Sequence, residues 1–181
     1  MIERGSAVFV TGVSGTGKST IGGQLAAVLD VPFLEGDDFH TPANIRKMSM
    51  GMPLDDEDRW PWLDALAGAV TARRTPAGIV MTCSALKRRY RDRLRGKVAS
   101  PILFVCLTAD RATLAARIRS RKGHFMPESL LDSQLATFEM PDPDECALIL
   151  DAGRPVEDVL GDLISGNSCD STTSPRRTTR S

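Results

Sequence analysis

Short apolar runs alternate along the chain with longer segments in which apolar residues recur every three or four positions. The short runs cover residues 7–11, 31–35, 78–83, 102–107 and 147–150, and we predict a β-strand at each one. The run at 78–83 is almost wholly apolar, which is typical of a parallel strand covered on both faces. The pattern therefore predicts a parallel sheet of five strands.

Helices are predicted at residues 20–29, 60–73, 86–94, 110–119, 128–138 and 155–164. Asp110 is expected to cap the fourth helix and Ser84 the third, because both residue types favour the position before a helix. The polar stretch at 36–58 carries no predicted element. Strands separated by helices predict a three-layer α/β/α sandwich with right-handed crossovers, in which ligands bind beyond the carboxyl ends of the strands.

Composition limits the classes of protein that fit. The chain has 181 residues, 41% of them hydrophobic and 25% charged, and its formal net charge is zero. This length fits one domain at residues 1–165, followed by a Ser-, Thr- and Arg-rich tail at 166–181 that is expected to be disordered. Zero net charge argues against bulk attraction to nucleic acid or membranes, and no apolar run has membrane-spanning length. The amino terminus does not resemble a secretory signal, and the four scattered cysteines are expected to be reduced core residues, which predicts a cytoplasmic protein.

Residues 12–19 have the sequence GVSGTGKS, the full pattern of a phosphate-binding P-loop. The motif follows the first predicted strand and precedes the first predicted helix. Its glycines allow a tight turn that points N–H groups at phosphate, and the helix adds the positive end of its dipole. Lys18 is expected to reach the β- and γ-phosphates of ATP, and the Ser19 hydroxyl to bind Mg²⁺. The alternative is a chance Gly-rich turn.

Carboxylates follow the second predicted strand in the sequence EGDDFH, residues 35–40. A carboxylate there lies beside the P-loop at the carboxyl edge of the sheet, where it can accept a proton from a substrate hydroxyl or orient it toward the γ-phosphate. The alternative is a plain turn, because Gly-Asp-Asp is a favourable turn sequence. His40 alone fits either interpretation.

Basic residues follow the third and fourth predicted strands. Lys87, Arg88 and Arg91 have the spacing of one helix face and suit an anionic substrate or a product phosphate. The alternatives are a solvated basic helix or a nucleic-acid patch, although no interleaved aromatic residues support the latter. Arg117 and Arg121 share a helix face just before a Gly, His and Pro that break the helix, as a mobile lid over transferring phosphates requires. The alternative is a pair of surface arginines without specific contacts.

The metal shell is less clear from the sequence. Residues 55–58 are all acidic, and we interpret them as the start of a helix rather than as a metal site. Thr82 and Cys83 end the third predicted strand, where many NTPases carry a Walker-B Asp. Magnesium is therefore expected to depend on Ser19, phosphate oxygens, water and one carboxylate, Asp37 or Asp38.

Four blocks of the chain together resemble the thermoresistant-type gluconate kinases. They are GVSGTGKST, EGDDFHTPANIRKMSMGMPLDDEDRWPWL, CSALKRRYRDRLR and RIRSRKGHFMPESLLDSQLATFE, and the resemblance extends over about residues 7–164. It implies a P-loop kinase fold with a helical lid at about residues 117–135. It also implies transfer of the γ-phosphoryl group of ATP to the 6-hydroxyl of D-gluconate and, for many members, a homodimer.

The resemblance also implies roles for individual residues. ATP and magnesium are expected on Gly12, Ser14, Gly15, Thr16, Gly17, Lys18, Ser19 and Thr20, with Arg154 in the loop that packs on adenine. Catalytic roles are expected for Lys18, Asp37, Arg117 and Arg121. Substrate contacts are expected from Asp37, His40, Asn44, Lys47, Arg59, Ser84, Lys87, Arg88, Arg91, His124 and Gln134.

Three other functions compete with this one. A P-loop kinase for shikimate or a nucleoside monophosphate shares the motif chemistry, and only the resemblance separates it from a gluconate kinase. A nucleotide-dependent switch usually reads guanine with an NKxD sequence, and this chain has no Asn-Lys pair. An RNA-binding protein that uses the basic helix is disfavoured by the zero net charge.

Overall fold

A parallel sheet forms the centre of the computed structural model, which describes residues 2–120 and 129–165. Within these ranges the sheet has five strands, ordered β2-β3-β1-β4-β5, and each neighbouring pair is parallel. The strands are β1 (Ala7–Thr11), β2 (Phe33–Leu34), β3 (Ile79–Cys83), β4 (Ile102–Thr108) and β5 (Ala147–Asp151). The predicted α/β class and parallel sheet are confirmed, although β2 is shorter than predicted.

The helices connect these strands, and 3₁₀ turns at Gly36–Phe39 and Pro143–Glu145 precede α2 and β5. The helices of the described ranges are α1 (Lys18–Leu29), α2 (Pro42–Ser49), α3 (Asp56–Arg73), α4 (Arg88–Lys97), α5 (Arg111–Ser120), α6 (Ser129–Thr137) and α7 (Val156–Ser165). Residue 128 of the predicted fifth helix and the predicted disordered tail at 166–181 lie outside the described ranges.

Alternate residues of the central strands point into two separate apolar layers. On one face, Phe9, Met81 and Phe104 pack with Trp62 of α3 and Leu94 of α4. On the other face, a second cluster brings α1 and α7 against the sheet; its members include Val8, Val10, Ile21, Leu25, Val80, Val105, Val159 and Leu163. Because side chains alternate along a strand, a strand covered on both faces must be apolar throughout. The three-layer prediction is confirmed.

Local capping explains two helix starts that the apolar pattern did not find. The predicted helix at 60–73 begins earlier, at Asp56, because Asp55 Oδ1 accepts from the Asp58 amide (3.0 Å) and Asp58 Oδ2 accepts from the Asp55 amide (2.9 Å). The interpretation of residues 55–58 as a helix start is thus confirmed. Helix α2 was not predicted at all, and the Thr41 hydroxyl caps it by accepting from the Asn44 amide at 3.1 Å.

The two predicted caps have different outcomes. Asp110 accepts the Thr113 amide at 2.9 Å directly before α5, as predicted. The prediction for Ser84 is wrong, because α4 begins at Arg88 and Lys87 occupies the position before it.

The described cysteines are all free thiols, but they do not all lie in the core. Cys83 and Cys106 are buried, whereas Cys146 is exposed and has a positive φ of 47°. The core prediction is therefore wrong for Cys146, and Cys169 lies outside the described ranges. In the part of the chain that the structure describes, no helix is long and apolar enough to cross a membrane.

Candidate active site

The P-loop forms the turn between β1 and α1, and its glycines are required by its geometry. Gly12, Gly15 and Gly17 have φ values of 136°, 87° and 87°, a region that other residues rarely adopt. A Cβ atom on Gly12 would lie only 2.5 Å from the Leu107 carbonyl oxygen of β4. The turn therefore packs tightly on the carboxyl edge of the sheet and leaves its amides at the start of α1, where the helix dipole favours an anion.

Several side chains hold this loop in the structure. Lys18 Nζ and Thr16 Oγ1 both donate to the Val13 carbonyl oxygen, at 3.1 and 2.8 Å. The Ser14 amide donates to Oε1 of Gln134, a residue of α6, at 2.7 Å. Ser19 and Thr20 are exposed in the first turn of α1. The loop thus presents polar groups to solvent on one side and contacts α6 on the other.

A cavity of about 280 Å³ opens beside the P-loop. It is lined by Gly15, Thr16, Gly17, Thr20, Ile21, Arg117, Ser120, Ala152, Arg154 and Val156. Arg117 donates to the Ala152 carbonyl at 2.8 Å, and Arg154 pairs with Asp162 at 2.6 Å. Two of the predicted nucleotide-side arginines therefore lie in one cavity with three P-loop residues. Its volume and cationic wall fit a nucleotide.

The sequence EGDDFH lies on the other side of the P-loop, where β2 meets β3. The Gly36 amide donates to Thr82 Oγ1 at 3.0 Å, and the Thr82 hydroxyl donates to the Glu35 carboxylate. A Cβ atom on Gly36 would lie 2.0 Å from the Thr82 carbonyl oxygen, so only glycine fits there. This close approach fixes the 3₁₀ turn that carries Asp37, whose carboxylate is 46% exposed.

His40 is buried beside Asp37 and is neutral at pH 7. Its ring stacks on Trp62 with centroids 4.4 Å apart, and burial lowers its pKa to about 4, the nearby Asp37 charge opposing that effect. Nδ1 lies 3.4 Å from the Asn44 amide nitrogen, a donor, so the ring proton is on Nε2. Nε2 lies 4.0 Å from Asp37 Oδ1, so the N–H dipole is on the side of that carboxylate.

Arg59 is a buried cation without an ionic partner among the described residues. Only 7% of the residue is exposed, and burial lowers the pKa of its guanidinium. Nε donates to the Leu54 carbonyl at 3.4 Å, and the guanidinium lies 5.6 Å from the centre of the Tyr90 ring. No carboxylate of residues 2–120 or 129–165 lies within 4.0 Å of it. A desolvated cation of this kind favours an anionic ligand.

A second, narrower cavity joins Arg59 to the P-loop side. It has a volume of about 30 Å³, little more than a water molecule needs. It is lined by Met48, Pro53, Leu54, Arg59, Leu86, Leu130, Ser133, Gln134 and Thr137. Because Gln134 also contacts Ser14, the Arg59 cavity and the P-loop are separated by a single side chain.

The buried thiol of Cys83, at the end of β3, feels the charges of three predicted site residues. Burial raises the pKa of this thiol to about 12, and the charges of Lys18, Asp37 and Arg59 all act on it. Lys18, Asp37 and Arg59 therefore all lie within electrostatic range of the carboxyl end of β3. The structure brings together residues that lie 19 to 41 positions apart in the sequence.

Other residues that were predicted to contact the substrate form ion pairs and hydrogen bonds near the start of α3. Lys47 pairs with Asp55 at 3.1 Å and with Asp58, while the Asn44 amide donates to the Asp58 carbonyl at 2.9 Å. Lys87 pairs with Asp56 at 3.0 Å, and Asp56 also accepts from the Tyr90 hydroxyl. These contacts tie α2 and the start of α4 to α3. Asp55, Asp56, Lys87 and Tyr90 line a wider cavity of about 490 Å³, which shares Pro53, Leu54, Ser133 and Thr137 with the Arg59 cavity.

Arg88 and Arg91 both pair with carboxylates of residues 142–145, whereas Lys87 pairs with Asp56, so the three predicted basic residues do not share one set of partners. Arg88 pairs with Asp142 at 2.9 Å and with Asp144 at 2.6 Å. Arg91 is 1% exposed and forms a two-pronged pair with Glu145, at 2.6 and 2.8 Å. Neither arginine lines the two cavities. Lys87 has a different partner because it lies directly before α4 and is not part of that helix.

We expect the substitution Glu145→Gln to destabilise the fold by about 3–5 kcal/mol, because it leaves the Arg91 charge buried without a counter-charge. The Arg91 guanidinium lowers the pKa of Glu145 to about 2. The pair's contribution is therefore complete above the ordinary pKa of 4.5 and is lost as the pH falls toward about 2. Urea unfolding at pH 7 measures the effect.

The matched control for this substitution is Asp144→Asn, which removes an exposed partner of Arg88. It should leave the urea midpoint nearly unchanged, because exposed ion pairs contribute little. Equal midpoint shifts in the two variants would contradict the assignment of Arg91 and Glu145 as the dominant pair.

The site suits a magnesium ion that is held mainly by the phosphate oxygens of a bound nucleotide. Within residues 2–120 and 129–165, no group of three His, Cys, Asp or Glu side chains is placed to hold a metal. The Ser19 hydroxyl is exposed at the P-loop, and Mg²⁺ characteristically takes one or two protein oxygens together with phosphate oxygens and water. The residues present therefore suit a magnesium ion that arrives with a nucleotide.

Arg121 and His124 lie outside the described residues, as does part of the predicted lid at 117–135. Other features of the site were not found from the sequence. Tyr90 was missed, although its ring lies beside both Arg59 and Lys87, at 5.6 and 5.5 Å. The available signal was the chain's single tyrosine inside a run of basic residues. Ser84, half-buried after β3, makes no side-chain contact that places it in either cavity.

Comparison with known proteins gives a consistent result. Residues 8–141 match a family model described as an AAA domain. The chain is 50% identical to a gluconokinase of Gluconobacter oxydans over 86% of its length and 87% of the relative. It is 42% identical to the thermoresistant gluconokinase of Escherichia coli, covering 84% and 88% of the two chains. A solved gluconokinase structure from Sinorhizobium meliloti superposes with a TM-score of 0.80 at 42% identity, covering 91% and 93%.

Proposed function

The chain belongs to the gluconokinase family, and from this premise we propose that it transfers the γ-phosphoryl group of ATP to the 6-hydroxyl of D-gluconate. The products are 6-phospho-D-gluconate and ADP. The observation that carries the proposal is Arg59, a buried cation in a cavity that adjoins the P-loop through Gln134. A sugar acid supplies the anion that such a cation favours. Shikimate or a nucleotide acceptor is the competing choice that the experiment below tests.

The P-loop side of the site binds the triphosphate. The inward-facing amides of residues 12–19 and the first turn of α1 stabilise phosphate oxygens. We assign Lys18 to the β- and γ-phosphates, with its charge available once its hydrogen bond to the Val13 carbonyl is exchanged for phosphate. Arg117 and Arg154 contribute the cationic wall of the nucleotide cavity.

Asp37 faces the hydroxyl that attacks. Its exposed carboxylate stands at the end of β2 on a turn fixed by Gly36, and it can accept the proton that leaves the 6-hydroxyl. Phosphoryl transfer needs little early deprotonation, so an ordinary carboxylate is a sufficient base. Neutral His40 keeps its Nε2 proton on this side and does not compete for the substrate proton.

Arg59 holds the carboxylate of the substrate at the far end of the sugar chain. Its partners Leu54 and Tyr90 orient the guanidinium without neutralising it. An arginine that is already desolvated and oriented forms a strong two-pronged pair with a carboxylate. This contact selects an acid over a neutral sugar, because a neutral end group would leave the cation unpaired.

We expect Arg59→Gln to raise the KM for D-gluconate about 10- to 100-fold and to change kcat less, because a charged hydrogen bond to the carboxylate is lost while the reacting end is intact. Steady-state kinetics at saturating ATP measure both constants. Arg46→Gln, an exposed arginine on α2, is the matched control and should leave the KM unchanged. A loss confined to kcat would contradict the assignment of Arg59 to the carboxylate.

The proposal extends to the metal ion, the domain, the compartment and the assembly. We propose that Ser19 binds the magnesium ion, which screens phosphate charge, that residues 1–165 form the kinase domain, and that the enzyme is cytoplasmic and a homodimer. The free thiols of Cys83, Cys106 and Cys146 support a reducing compartment. Asn44, Lys47, Lys87 and Gln134 remain candidate substrate contacts, and Arg121 and His124 keep the roles that the resemblance implied.

A panel of acceptors tests the proposed function. Purified protein receives Mg²⁺-ATP with D-gluconate, D-glucose, shikimate or AMP, and the mass and phosphorus NMR spectrum of each product identify what is phosphorylated and at which oxygen. We expect a primary phosphate ester on D-gluconate alone. Phosphorylation of shikimate or AMP in preference to D-gluconate would reject the substrate assignment.

A further inference from the structure

Gln134 connects the two halves of the site. Its Oε1 accepts from the Ser14 amide of the P-loop at 2.7 Å, and the same side chain lines the narrow cavity that holds Arg59. The residue belongs to α6, which lies outside the P-loop motif and has no residue in the nucleotide cavity. One hydrogen bond therefore joins a phosphate-binding amide to the wall of the acceptor cavity.

Apolar packing of α6 adds a second connection between the P-loop and the acceptor cavity, beside the hydrogen bond. Leu131 packs in an apolar cluster with Val13 of the P-loop and with Leu86, which also lines the Arg59 cavity. The adjacent Leu130 packs with Met48 and Leu54 on the opposite wall of that cavity. Helix α6 thus spans the space between the P-loop and the acceptor side, and a change in its contact with Ser14 reaches both walls.

A bound triphosphate competes directly with Gln134. The Ser14 amide belongs to the loop whose N–H groups cradle phosphate, and it can satisfy one strong acceptor at a time. A charged phosphate oxygen forms a stronger hydrogen bond with an amide than a neutral side-chain carbonyl does. Nucleotide binding therefore breaks the contact between Gln134 and Ser14.

The acceptor cavity needs this release. Its volume of about 30 Å³ is far too small for a six-carbon acid, and it shares Pro53, Leu54, Ser133 and Thr137 with a wider cavity of about 490 Å³. D-gluconate that extends from the wider cavity to Arg59 must therefore widen the narrow one. Gln134 and Leu130 of α6 form part of those walls. As long as Gln134 is held by Ser14, part of the free energy of acceptor binding is spent on breaking that bond.

We propose that Gln134 is a positioning residue that couples nucleotide binding to D-gluconate binding, by exchanging its hydrogen bond with the Ser14 amide for one within the acceptor cavity. This inference rests on the proposed function for the identity of the acceptor. It predicts that each substrate tightens the binding of the other by the same factor, as linkage requires.

Two substitutions at the same position test the exchange, because they should act in opposite directions. In Gln134→Leu the Ser14 amide loses the Gln134 acceptor, and we expect the Mg²⁺ complex of a β,γ-methylene ATP analogue to bind about 3- to 10-fold more tightly without D-gluconate. In Gln134→Glu a carboxylate takes the amide and repels phosphate, and binding should weaken about 10-fold or more. A side chain that only supported the fold would move both affinities in the same direction.

Isothermal titration calorimetry gives both affinities and the coupling. The ratio of D-gluconate dissociation constants without and with the analogue should exceed one in the wild-type protein and fall toward one in Gln134→Leu. Gln24→Leu, an exposed glutamine on α1, is the matched control and should leave both unchanged. Thermal melts verify that each variant is folded.

Two results would overturn the inference. One is unchanged or weaker analogue binding by folded Gln134→Leu, and the other is a coupling ratio that this variant retains in full. The proposed function fails by a different result, namely wild-type protein that binds the analogue but shows no D-gluconate binding in its presence.

Discussion

Lys18→Met is expected to lower kcat by about 10³, because it removes the cation that stabilises charge on the transferring phosphoryl group. In the structure Lys18 Nζ donates to the Val13 carbonyl at 3.1 Å, inside the same turn whose amides face the phosphates. The side chain is therefore already at the phosphate site before nucleotide binds. Single-turnover kinetics with saturating Mg²⁺-ATP and D-gluconate measure the loss at the chemical step.

The fold should tolerate this change. Lys18 is half-buried at the first position of α1, and the loop glycines and the Thr16 contact with Val13 remain in the variant. The thermal midpoint of Lys18→Met is therefore expected to stay close to that of the wild type. Lys18→Arg keeps the charge but not the compact ammonium, and we expect it to recover only part of the rate. Turnover of Lys18→Met within tenfold of wild type would contradict the assignment.

Asp37→Asn is expected to lower kcat by about 10²–10⁴, the usual contribution of a positioned general base. The change keeps the shape of the side chain and removes its ability to take the hydroxyl proton. Because the carboxylate is 46% exposed and lies 4.0 Å from Nε2 of His40, whose ring is neutral, folding stability should be almost unaffected. Rapid-quench measurement of phosphoryl transfer separates this effect from product release.

Asp38→Asn is the matched control, since it removes an exposed carboxylate one residue away on the same 3₁₀ turn. It should retain most of the activity. If Asp37→Asn turns over at a near-normal rate, Asp37 has no part in the mechanism. If both variants lose activity equally, the turn as a whole, and not one carboxylate, is responsible.

The sheet and the nucleotide half of the site follow from local sequence. The central strands are recognisable because burial on both faces demands continuous apolar runs, as in residues 79–83. The P-loop is recognisable because its backbone geometry excludes a side chain at Gly12 and requires positive φ at three glycines. In both cases the physical constraint acts on neighbouring residues, so a short window of sequence contains it.

Helix α2 shows a local signal that apolar periodicity could not detect. It is eight residues long and buries only Asn44 and Met48, so its apolar pattern is too short to stand out. The sequence nevertheless indicates where this helix begins, because Thr41 caps it and Pro42 occupies its first turn. Capping residues therefore carry a clearer signal for this helix than hydrophobicity does, and the same holds for the early start of α3 at Asp56.

The roles of the basic residues after β3 depend on distant partners. Arg91 pairs with Glu145, 54 positions along the chain, and Arg88 with Asp142 and Asp144. Spacing on a helix shows which side chains share a face, but it does not show which of them meet a carboxylate from another element. Arg59 is the converse case, since its lack of an ionic partner among the described residues becomes visible only after folding.

The central claim is that the P-loop and the Arg59 cavity form one phosphotransferase site for a sugar acid. Release of ADP from Mg²⁺-ATP by the purified wild-type protein, followed with and without D-gluconate, tests it most directly. We expect rapid ADP release only when D-gluconate is present, with one phosphorylated acceptor formed for each ADP. ATP turnover that is equal in the presence and absence of D-gluconate, or no turnover when both substrates are supplied, would contradict it.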